Sequence, residues 1–478
     1  MSNGIARREF LRHGLAAGSA SLLAGVPTPA LAAPKGGGQP NIVLIYADDL
    51  GYGDVGYHGC KDVPTPHIDS IARAGVWFPA GYVTAAVCAP SRAGLLTGQY
   101  QQRFGFEDNV GPFRQRPTVE RGTPLDRLNL AERLKQLGYA TSMVGKWHEG
   151  EKEKFQPPNR GFDEYFGFNN GAARYFIKGN DNGRLRRGME VVDREDEYLT
   201  DAFGREAVSF IERQREKPFF LYVPFNAIHG PLQAPEAEIA RFPGIVSKKR
   251  RTMAAMLASM DRNIGRILQA LRKRGIEEDT LVIFLSDNGG KPEDARGHGN
   301  ASVNTPLRGT KGQYYEGGIR IPFCLQWKAK LPAGQRYDRP VISLDIVPTC
   351  LVAAGADIDA AWNLDGINLL PCVGREQREA PRRYLYWRQL YNWAIRDEEW
   401  KLVKMRHEKQ AQLFHLSEDI SESRDLAAER PEIVTRLRAA HAAWAKGVME
   451  PQWGWQPGIC GQKYGDDLKP RRRPGAKK

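Results

Sequence analysis

Residues 87–98 read VCAPSRAGLLTG, which sets Cys88 two residues before Pro90 and four before Arg92. Four fates are open to such a cysteine: a packed thiol, half of a disulfide, a thiolate nucleophile, or a residue converted after synthesis. A buried thiol is among the commonest core residues, so Cys88 taken alone reads as packing. Its neighbours change that. Proline suits the first turn of a helix, which puts Cys88 just ahead of a helix N-terminus, where free N–H groups and the dipole favour anions. Arg92 adds a fixed cation whose planar fork matches a tetrahedral oxyanion. The segment is built to hold a sulfate or phosphate group against residue 88.

Other groups point to the same chemistry. Asp48 and Asp49 end the apolar run NIVLIYA, and Asp287 and Asn288 follow TLVIFLS. Such runs read as buried parallel strands, and open α/β sheets bind ligands beyond the carboxyl ends of their strands. Each Asp alone is a turn former or helix cap. Together, three carboxylates and an amide oxygen make a hard, all-oxygen set that suits Ca2+ or Mg2+ rather than zinc. Lys146 and His148 lie two apart at the end of a predicted strand and are expected on one face. His229 follows the run PFFLYVPF, and Lys311 lies in NTPLRGTKGQYYEGGIR.

Residues 88–98, CAPSRAGLLTG, resemble the signature of the type I sulfatases, C-x-P-S-R with a following T-G. Residues 138–148, GYATSMVGKWH, are similar to that family's other signature, G-Y-x-T-x-x-x-G-K-x-H. The resemblance runs from about Asn41 to about Leu426. In that family, part of the alkaline-phosphatase-like superfamily, the cysteine is oxidised to formylglycine (3-oxoalanine), whose hydrated aldehyde is the nucleophile. The resemblance implies that Cys88 is a precursor. It implies Ca2+, with Mg2+ chemically admissible, at Asp48, Asp49, Cys88, Asp287 and Asn288. It places Arg92, Lys146, His148, His229 and Lys311 around the nucleophile and the sulfate.

A mechanism follows from that likeness. One hydroxyl of hydrated residue 88 attacks sulfur, while Arg92, Lys146, Lys311 and the cation stabilise charge on the sulfuryl oxygens. His229 is the candidate general acid for the leaving alcohol, and His148 the candidate for taking the second hydroxyl's proton. Of nine histidines only these two fall at motif positions; His58, His67, His298 and His415 are assigned structural or substrate-side roles. The chain departs from the family at Thr310, a position often glycine, and at Glu149, often leucine. Both departures are expected at the rim. The implied activity is an arylsulfatase-like sulfuric ester hydrolase acting on a sulfated carbohydrate, a polysaccharide such as a galactan or a glycosaminoglycan fragment. Its implied partner is a formylglycine-generating maturation enzyme. The rival readings are a phosphonate or phosphate ester hydrolase of the same superfamily and a non-catalytic polyanion-binding relative, which would have no use for residue 88.

Groups spread from residue 48 to residue 311 can meet only where several strands end together, and the chain has the pattern for it. The runs already named, with YATSMVG, read as strands. They alternate with helices: LNLAERLKQLG, capped by Asn129 and stopped by Gly138, and the amphipathic stretches 199–216 and 249–274. The alternation predicts an α/β fold, a large doubly wound mixed sheet sandwiched by helices. Beyond residue 375, YLYWRQLYNWAIRDEEWKLVKM and AQLFHL predict short antiparallel strands and 431–448 a helix, a smaller C-terminal subdomain. The expected divisions are an export signal (1–32), a linker (33–40), the catalytic domain (41–372), the C-terminal subdomain (373–460) and a basic tail (461–478). Residues 151–200 and 291–306, the least motif-like, are expected to form much of the pocket rim.

The leader combines Arg7-Arg8, a short Gly/Ala/Leu run and a small-x-small ALA ending at Ala32. It resembles a twin-arginine export signal and is too short for a membrane span. The protein is therefore expected to meet the export machinery, to be periplasmic or secreted from a bacterium, and to keep no stable membrane anchor. The net charge of +13 is concentrated at the ends, with six basic residues and no acid in the last ten, KPRRRPGAKK. No RNP, zinc-finger or helix-turn-helix signature accompanies it, so no nucleic-acid partner is expected. Six cysteines are present, and their pairing is not legible from spacing.

Overall fold

The computed structural model describes residues 38–111, 120–179, 184–374 and 383–454. The expected export signal, the linker before residue 38 and the basic tail lie outside the described residues. Five parallel strands form the centre of a ten-stranded sheet, in the order Thr280–Ser286, Asn41–Ala47, Phe219–Pro224, Ala140–Lys146, Glu164–Phe168. Antiparallel strands extend both sides: Phe323–Gln326 then Val76–Trp77 beyond Thr280–Ser286, and Leu185–Arg187 beyond Glu164–Phe168. The sheet is mixed, as expected.

Every residue of Phe219–Pro224 and Thr280–Ser286 is buried, the state that continuous apolar runs demand of parallel strands covered on both faces. Alternation along Asn41–Ala47 divides the core. Ile42, Leu44 and Tyr46 pack with helices Cys88–Thr97, Leu130–Gln136 and Ile346–Ala353. Val43, Ile45 and Ala47 pack with Pro66–Ala74, Leu199–Arg213 and Lys248–Lys273. The Leu130–Gln136 helix starts with a reciprocal cap: Asn129 Oδ1 accepts from Glu132 N at 2.9 Å, and the Glu132 carboxylate accepts from Asn129 N at 2.7 Å. Gly138, at φ +89°, stops it.

Two local expectations are corrected. Cys88 is the first residue of its helix, with Val87 as N-cap, rather than the residue ahead of it. Pro90 occupies the third helical position, which is tolerated because the first N–H groups of a helix have no intrahelical partner anyway. Lys146 and His148 do not share a strand face. The strand ends at Lys146, and His148 sits in the left-handed region at φ +65°, so the chain turns between them.

The C-terminal part is a four-stranded antiparallel sheet, Leu385–Gln389, Asn392–Arg396, Trp400–Lys404 and Gln412–His415, followed by helix Pro431–Ala445. Its two faces have different partners. Ile395, Leu402 and Leu413 meet Leu437 of the helix, whereas Trp387, Ala394, Val403 and Phe414 join the large core. Trp387 is fully buried, and its indole N–H donates to Val83 O at 2.7 Å, one turn ahead of the Cys88 helix. Trp387→Ala removes both packing and this bond. It should cost about 3–5 kcal/mol, measured as a lower midpoint in chemical denaturation; a shift under about 1 kcal/mol would mean the small sheet is not anchored there.

Candidate active site

The carboxyl ends of the central strands bring the site together. The pairing Ala47↔Ser286 sets Asp48 beside Asp287, whose N–H donates to Ala47 O at 3.0 Å. Asp48 is tied on its other side, its N–H donating to Ala227 O and its carbonyl accepting from Ile228 N. That holds the chain leading from Phe219–Pro224 to His229 against the first strand. Asp49 turns back into the cluster through a left-handed backbone at φ +63°, a conformation aspartate tolerates better than most residues. The Cys88–Thr97 helix points its first turn at the same place, and Lys311 arrives on a separate loop.

Three carboxylates meet three cations here. Lys146 Nζ lies 2.6 Å from Asp48 Oδ2, Arg92 Nη2 lies 2.8 Å from Asp287 Oδ2, and Lys311 Nζ pairs with Asp49 Oδ1. Lys311 Nζ also stands 2.9 Å from Cys88 Sγ, which in turn lies 3.5 Å from Asp48 Oδ1 and 4.0 Å from Asp49 Oδ1. Burial alone would raise Asp49 and Asp287. Lys311 and His229 outweigh it at Asp49, as do Arg92 and Lys146 at Asp287, so both carboxyls are held below the usual range.

Cys88 goes the other way. Burial pushes its thiol up to about 12 despite Lys146 and Lys311. Burial favours the protonated thiol, and no described cysteine pairs with it. Both facts weigh against the thiolate and disulfide readings. The packing reading fails, because the sulfur is surrounded by ammonium and carboxylate groups rather than hydrocarbon.

Exposure divides the cations. The side chains of Arg92 and Lys146 are 0% exposed, while Lys311 keeps 12% and His229 26%. The Arg92 fork, expected to face an oxyanion, is directed inward instead: Nε and Nη2 donate to Asp287 and Nη1 to Lys146 O. Tyr46 lies under its guanidinium at 5.1 Å, and the Tyr46 hydroxyl is 3.1 Å from Ser91 Oγ. Tyr46 escaped the sequence reading; the available signal was strand alternation, which turns it toward the Cys88 helix.

The two histidines differ. His229 Nδ1 is 2.7 Å from Gly230 O, which can only accept, so that nitrogen carries the proton and Nε2 faces Asp49 Oδ2 at 3.8 Å. His148 is buried, and burial together with Lys146 and Arg92 holds its imidazole well below the usual value, hence neutral. Its Nδ1 has no hydrogen-bond partner among the described residues. A Cβ on Gly171 would lie 2.7 Å from His148 Nε2, so only glycine leaves the ring its room. Gly171 was another residue that sequence reasoning missed.

The oxygen donors Asp48, Asp49, Asp287 and Asn288 suit a hard divalent cation, and a thiol and an imidazole stand close to the first two. Asp48, Asp49, Cys88 and His229 present ligand atoms that all lie within 4.8 Å of one another. Asp287 is engaged on both oxygens, by Arg92 Nη2 on one and by Asp49 N–H on the other at 3.1 Å. Asn288 Nδ2 donates to Asp49 Oδ1 at 2.8 Å, and Asn288 Oδ1 is buried without a partner among the described residues. An orphaned amide oxygen beside carboxylates is a place prepared for a cation.

A cavity of about 500 Å³, lined by Glu120, Arg121, Glu151, Lys152, Asn170, Gly171 and Arg184 among others, shares Gly171 with the wall of His148. Of residues 291–306, positions 291–299 are mostly exposed and 300–304 mostly lie underneath: Asn300 Nδ2 donates to Asp49 O and Ile228 O, and Asn304 Nδ2 to Gly290 O. Glu149 is likewise interior rather than at the rim, buried against Thr123 Oγ1 at 2.7 Å with its carboxyl pushed by burial to about 7. Thr310 holds Gly290 O at 2.8 Å. The four histidines assigned no catalytic part stay away from the cluster; His58, for one, stacks on Tyr52.

Known proteins share this arrangement of chain. The Sulfatase family model matches residues 40–356, and the model "N-sulphoglucosamine sulphohydrolase, C-terminal" matches 310–440. Mouse Arylsulfatase J is 33% identical over 414 residues, covering 80% of this chain and 67% of the relative. Human N-acetylgalactosamine-6-sulfatase is 34% identical over 365 residues, covering 73% and 68%. The crystal structure of Ps i-CgsB in complex with k-i-k-neocarrahexaose superposes with a TM-score of 0.81 at 35% identity, covering 91% of this chain and 98% of that one.

A cation that binds only the folded state adds about 2.7 kcal/mol at a hundred times its Kd. Ca2+ or Mg2+ should therefore raise Tm, chelation should reverse the rise, and Asp49→Asn should shrink it. A Tm indifferent to both ions would remove the cation from this site.

Proposed function

The chain belongs to the sulfatase family and is a sulfuric ester hydrolase; from that premise we propose that it releases inorganic sulfate from a sulfated oligosaccharide, with Cys88 matured to formylglycine. The observation that carries the reading is the placement of Cys88. Its sulfur sits among Lys311, Asp48 and Asp49, and a cavity of about 500 Å³ shares Gly171 with the wall of the neighbouring His148. When bound, the formylglycine hydrate supplies an oxygen nucleophile, and a divalent cation held by Asp48, Asp49, Asp287, Asn288 and residue 88 supplies Lewis-acid polarisation. The carboxylate-rich donor set favours Ca2+.

The remaining steps belong to this chain's own residues. Lys311 and His229, the partly exposed members, face the sulfuryl group. Lys146 and Arg92 act from behind, fixing Asp48 and Asp287 while adding positive potential in a dry environment. As the imidazolium, with one proton on Nδ1 held by Gly230 O, His229 gives the Nε2 proton to the bridging oxygen of the departing alcohol and is left as the neutral Nδ1–H ring. His148, neutral when free, takes a proton from residue 88 so that sulfate leaves. The walls of the cavity mix cations with carboxylates and the Asn170 amide, which suits sugar hydroxyls and sulfates. The oligosaccharide bound to the similar Ps i-CgsB favours a galactan over a glycosaminoglycan fragment.

Export to the periplasm or outside the cell, through the Arg7-Arg8 leader, completes the reading; no helix among the described residues is long and apolar enough to cross a membrane. A formylglycine-generating enzyme acts before or during folding, since residue 88 is buried afterwards.

The test is sulfate release from defined sulfated galactan and glycosaminoglycan oligosaccharides, beside an aryl phosphonate. The tryptic peptide bearing residue 88 should have lost its thiol and gained an aldehyde. Faster turnover of the phosphonate, or full activity with an intact thiol, would defeat the proposal.

His229→Ala should lower sugar-sulfate turnover by roughly a hundred- to ten-thousand-fold, because a sugar alkoxide leaves only with a proton. Nitrophenyl sulfate, whose alcohol leaves well unaided, should suffer far less. His148→Ala should slow both substrates alike. Equal losses for His229→Ala on the two substrates would take the acid role away from it.

Arg184 lines the cavity without touching the nucleophile. Arg184→Ala should raise KM for an oligosaccharide bearing several sulfates and leave nitrophenyl sulfate unaffected, as steady-state kinetics would show.

A further inference from the structure

We propose that Lys401, on the C-terminal sheet, is a positioning residue for catalysis that sets the place of Lys311 by way of Glu316. The inference rests on Lys311 acting at the sulfuryl group. Lys311 belongs to a loop that the C-terminal part holds at several points. Arg308 Nη1 donates to Glu422 O at 3.0 Å, Tyr314 N–H to Met405 Sδ at 3.4 Å, and the Tyr315 hydroxyl to Gln412 Oε1 at 2.6 Å. Glu316 N–H donates to Glu422 Oε2 at 2.6 Å.

The loop ends on a buried charge cluster. Glu316 Oε1 accepts from Lys401 Nζ at 2.8 Å, and its Oε2 accepts from the Tyr82 hydroxyl at 2.6 Å and pairs with Arg320 Nη1 at 3.1 Å. Lys401 Nζ also lies 2.9 Å from Glu422 Oε1. Glu316, Lys401 and Glu422 are all 0% exposed. A buried ion cluster is a poor route to stability, since apolar residues of the same volume serve as well or better. What it does supply is one permitted arrangement: a carboxylate bonded from two chain segments cannot slide without leaving a bare charge in the core.

Between Glu316 and Lys311 there is no slack to absorb such a slide. Gly317 N–H donates to Arg308 O at 2.6 Å, Gln313 N–H to Thr310 O at 2.9 Å, and Lys311 N–H to Gly290 O at 3.0 Å. A Cβ on Gly318 would lie 1.9 Å from Gln313 O, and one on Gly317 2.5 Å from Gly309 O. These bonds couple Glu316 to Lys311 through a tightly wound backbone that is also tied to Gly290 O and Ala86 O. Displacement at Glu316 therefore reaches the Lys311 ammonium, where misplacement by about 1 Å can cost on the order of a hundredfold in rate.

The experiment uses the full-length, matured enzyme and nitrophenyl sulfate in a double-mutant cycle. Lys401→Met keeps the aliphatic stem and removes the ammonium. It should lower kcat/KM by roughly ten- to a hundredfold and weaken inhibition by inorganic sulfate, which Lys311 helps to bind. In a Lys311→Ala background the same change should cost almost nothing more, because its effect runs through Lys311. Tyr315→Phe, which removes one hydroxyl from the same clamp and leaves the charge cluster whole, should give a smaller loss with the same non-additivity. If Lys401→Met does not fold, the Tyr315→Phe cycle decides alone. A loss of equal factor with and without Lys311, or a folded Lys401→Met with unaltered kcat/KM and sulfate inhibition, would overturn the inference. Failure of the unmutated, matured enzyme to release sulfate would instead overturn the functional reading.

Discussion

The site depends on one electrostatic constraint: three carboxylates, Asp48, Asp49 and Asp287, are buried together at the end of a sheet. Left alone they would protonate or force the strands apart. Each is answered by a different cation, Lys146, Lys311 and Arg92, delivered by a different part of the chain. Removing one partner of such a pair typically costs about 3–5 kcal/mol, because the other charge stays buried and unmatched. The strand order, the Cys88 helix and the Lys311 loop are all conditions for that matching.

Parallel strands make the matching possible. Asn41–Ala47 lies between Phe219–Pro224 and Thr280–Ser286, with Ala140–Lys146 one strand further, so their carboxyl ends open on one edge. Residues separated by more than two hundred positions become neighbours there without any insertion between them. The helices covering the two faces supply hydrophobic burial on both sides, and the low dielectric that follows makes each cation count for more. The same burial pushes the Cys88 thiol up, against ionisation, which makes an unmodified thiol in this position a weak nucleophile.

Burial also sorts the site into a back and a front. Arg92 and Lys146 are sealed and hold carboxylates in place, while Lys311 and His229 reach the opening. The front depends on less regular structure: the left-handed turn at His148, the bare backbone of Gly171 and a loop clamped from the C-terminal sheet. The cavity that shares Gly171 with the wall of His148 is built from segments that carry no motif.

Much of this was legible along the chain. Apolar runs ending in Asp48-Asp49 and Asp287-Asn288, the capping box at Asn129, the Gly138 stop and the two motifs around Cys88 and Lys146 are local patterns, set by strand and helix periodicity and by backbone caps. They determined the α/β class and the segments that the sheet gathers at its carboxyl edge. Four things were decided only by tertiary structure. The Arg92 fork turned inward to Asp287, Glu149 went inside, His148 left the strand face, and Lys401 came to stand behind the Lys311 loop. The reason is common to all four. Local sequence sets what a residue can bond to, but which partner it meets depends on which strands lie side by side, and that is a property of the whole packed sheet.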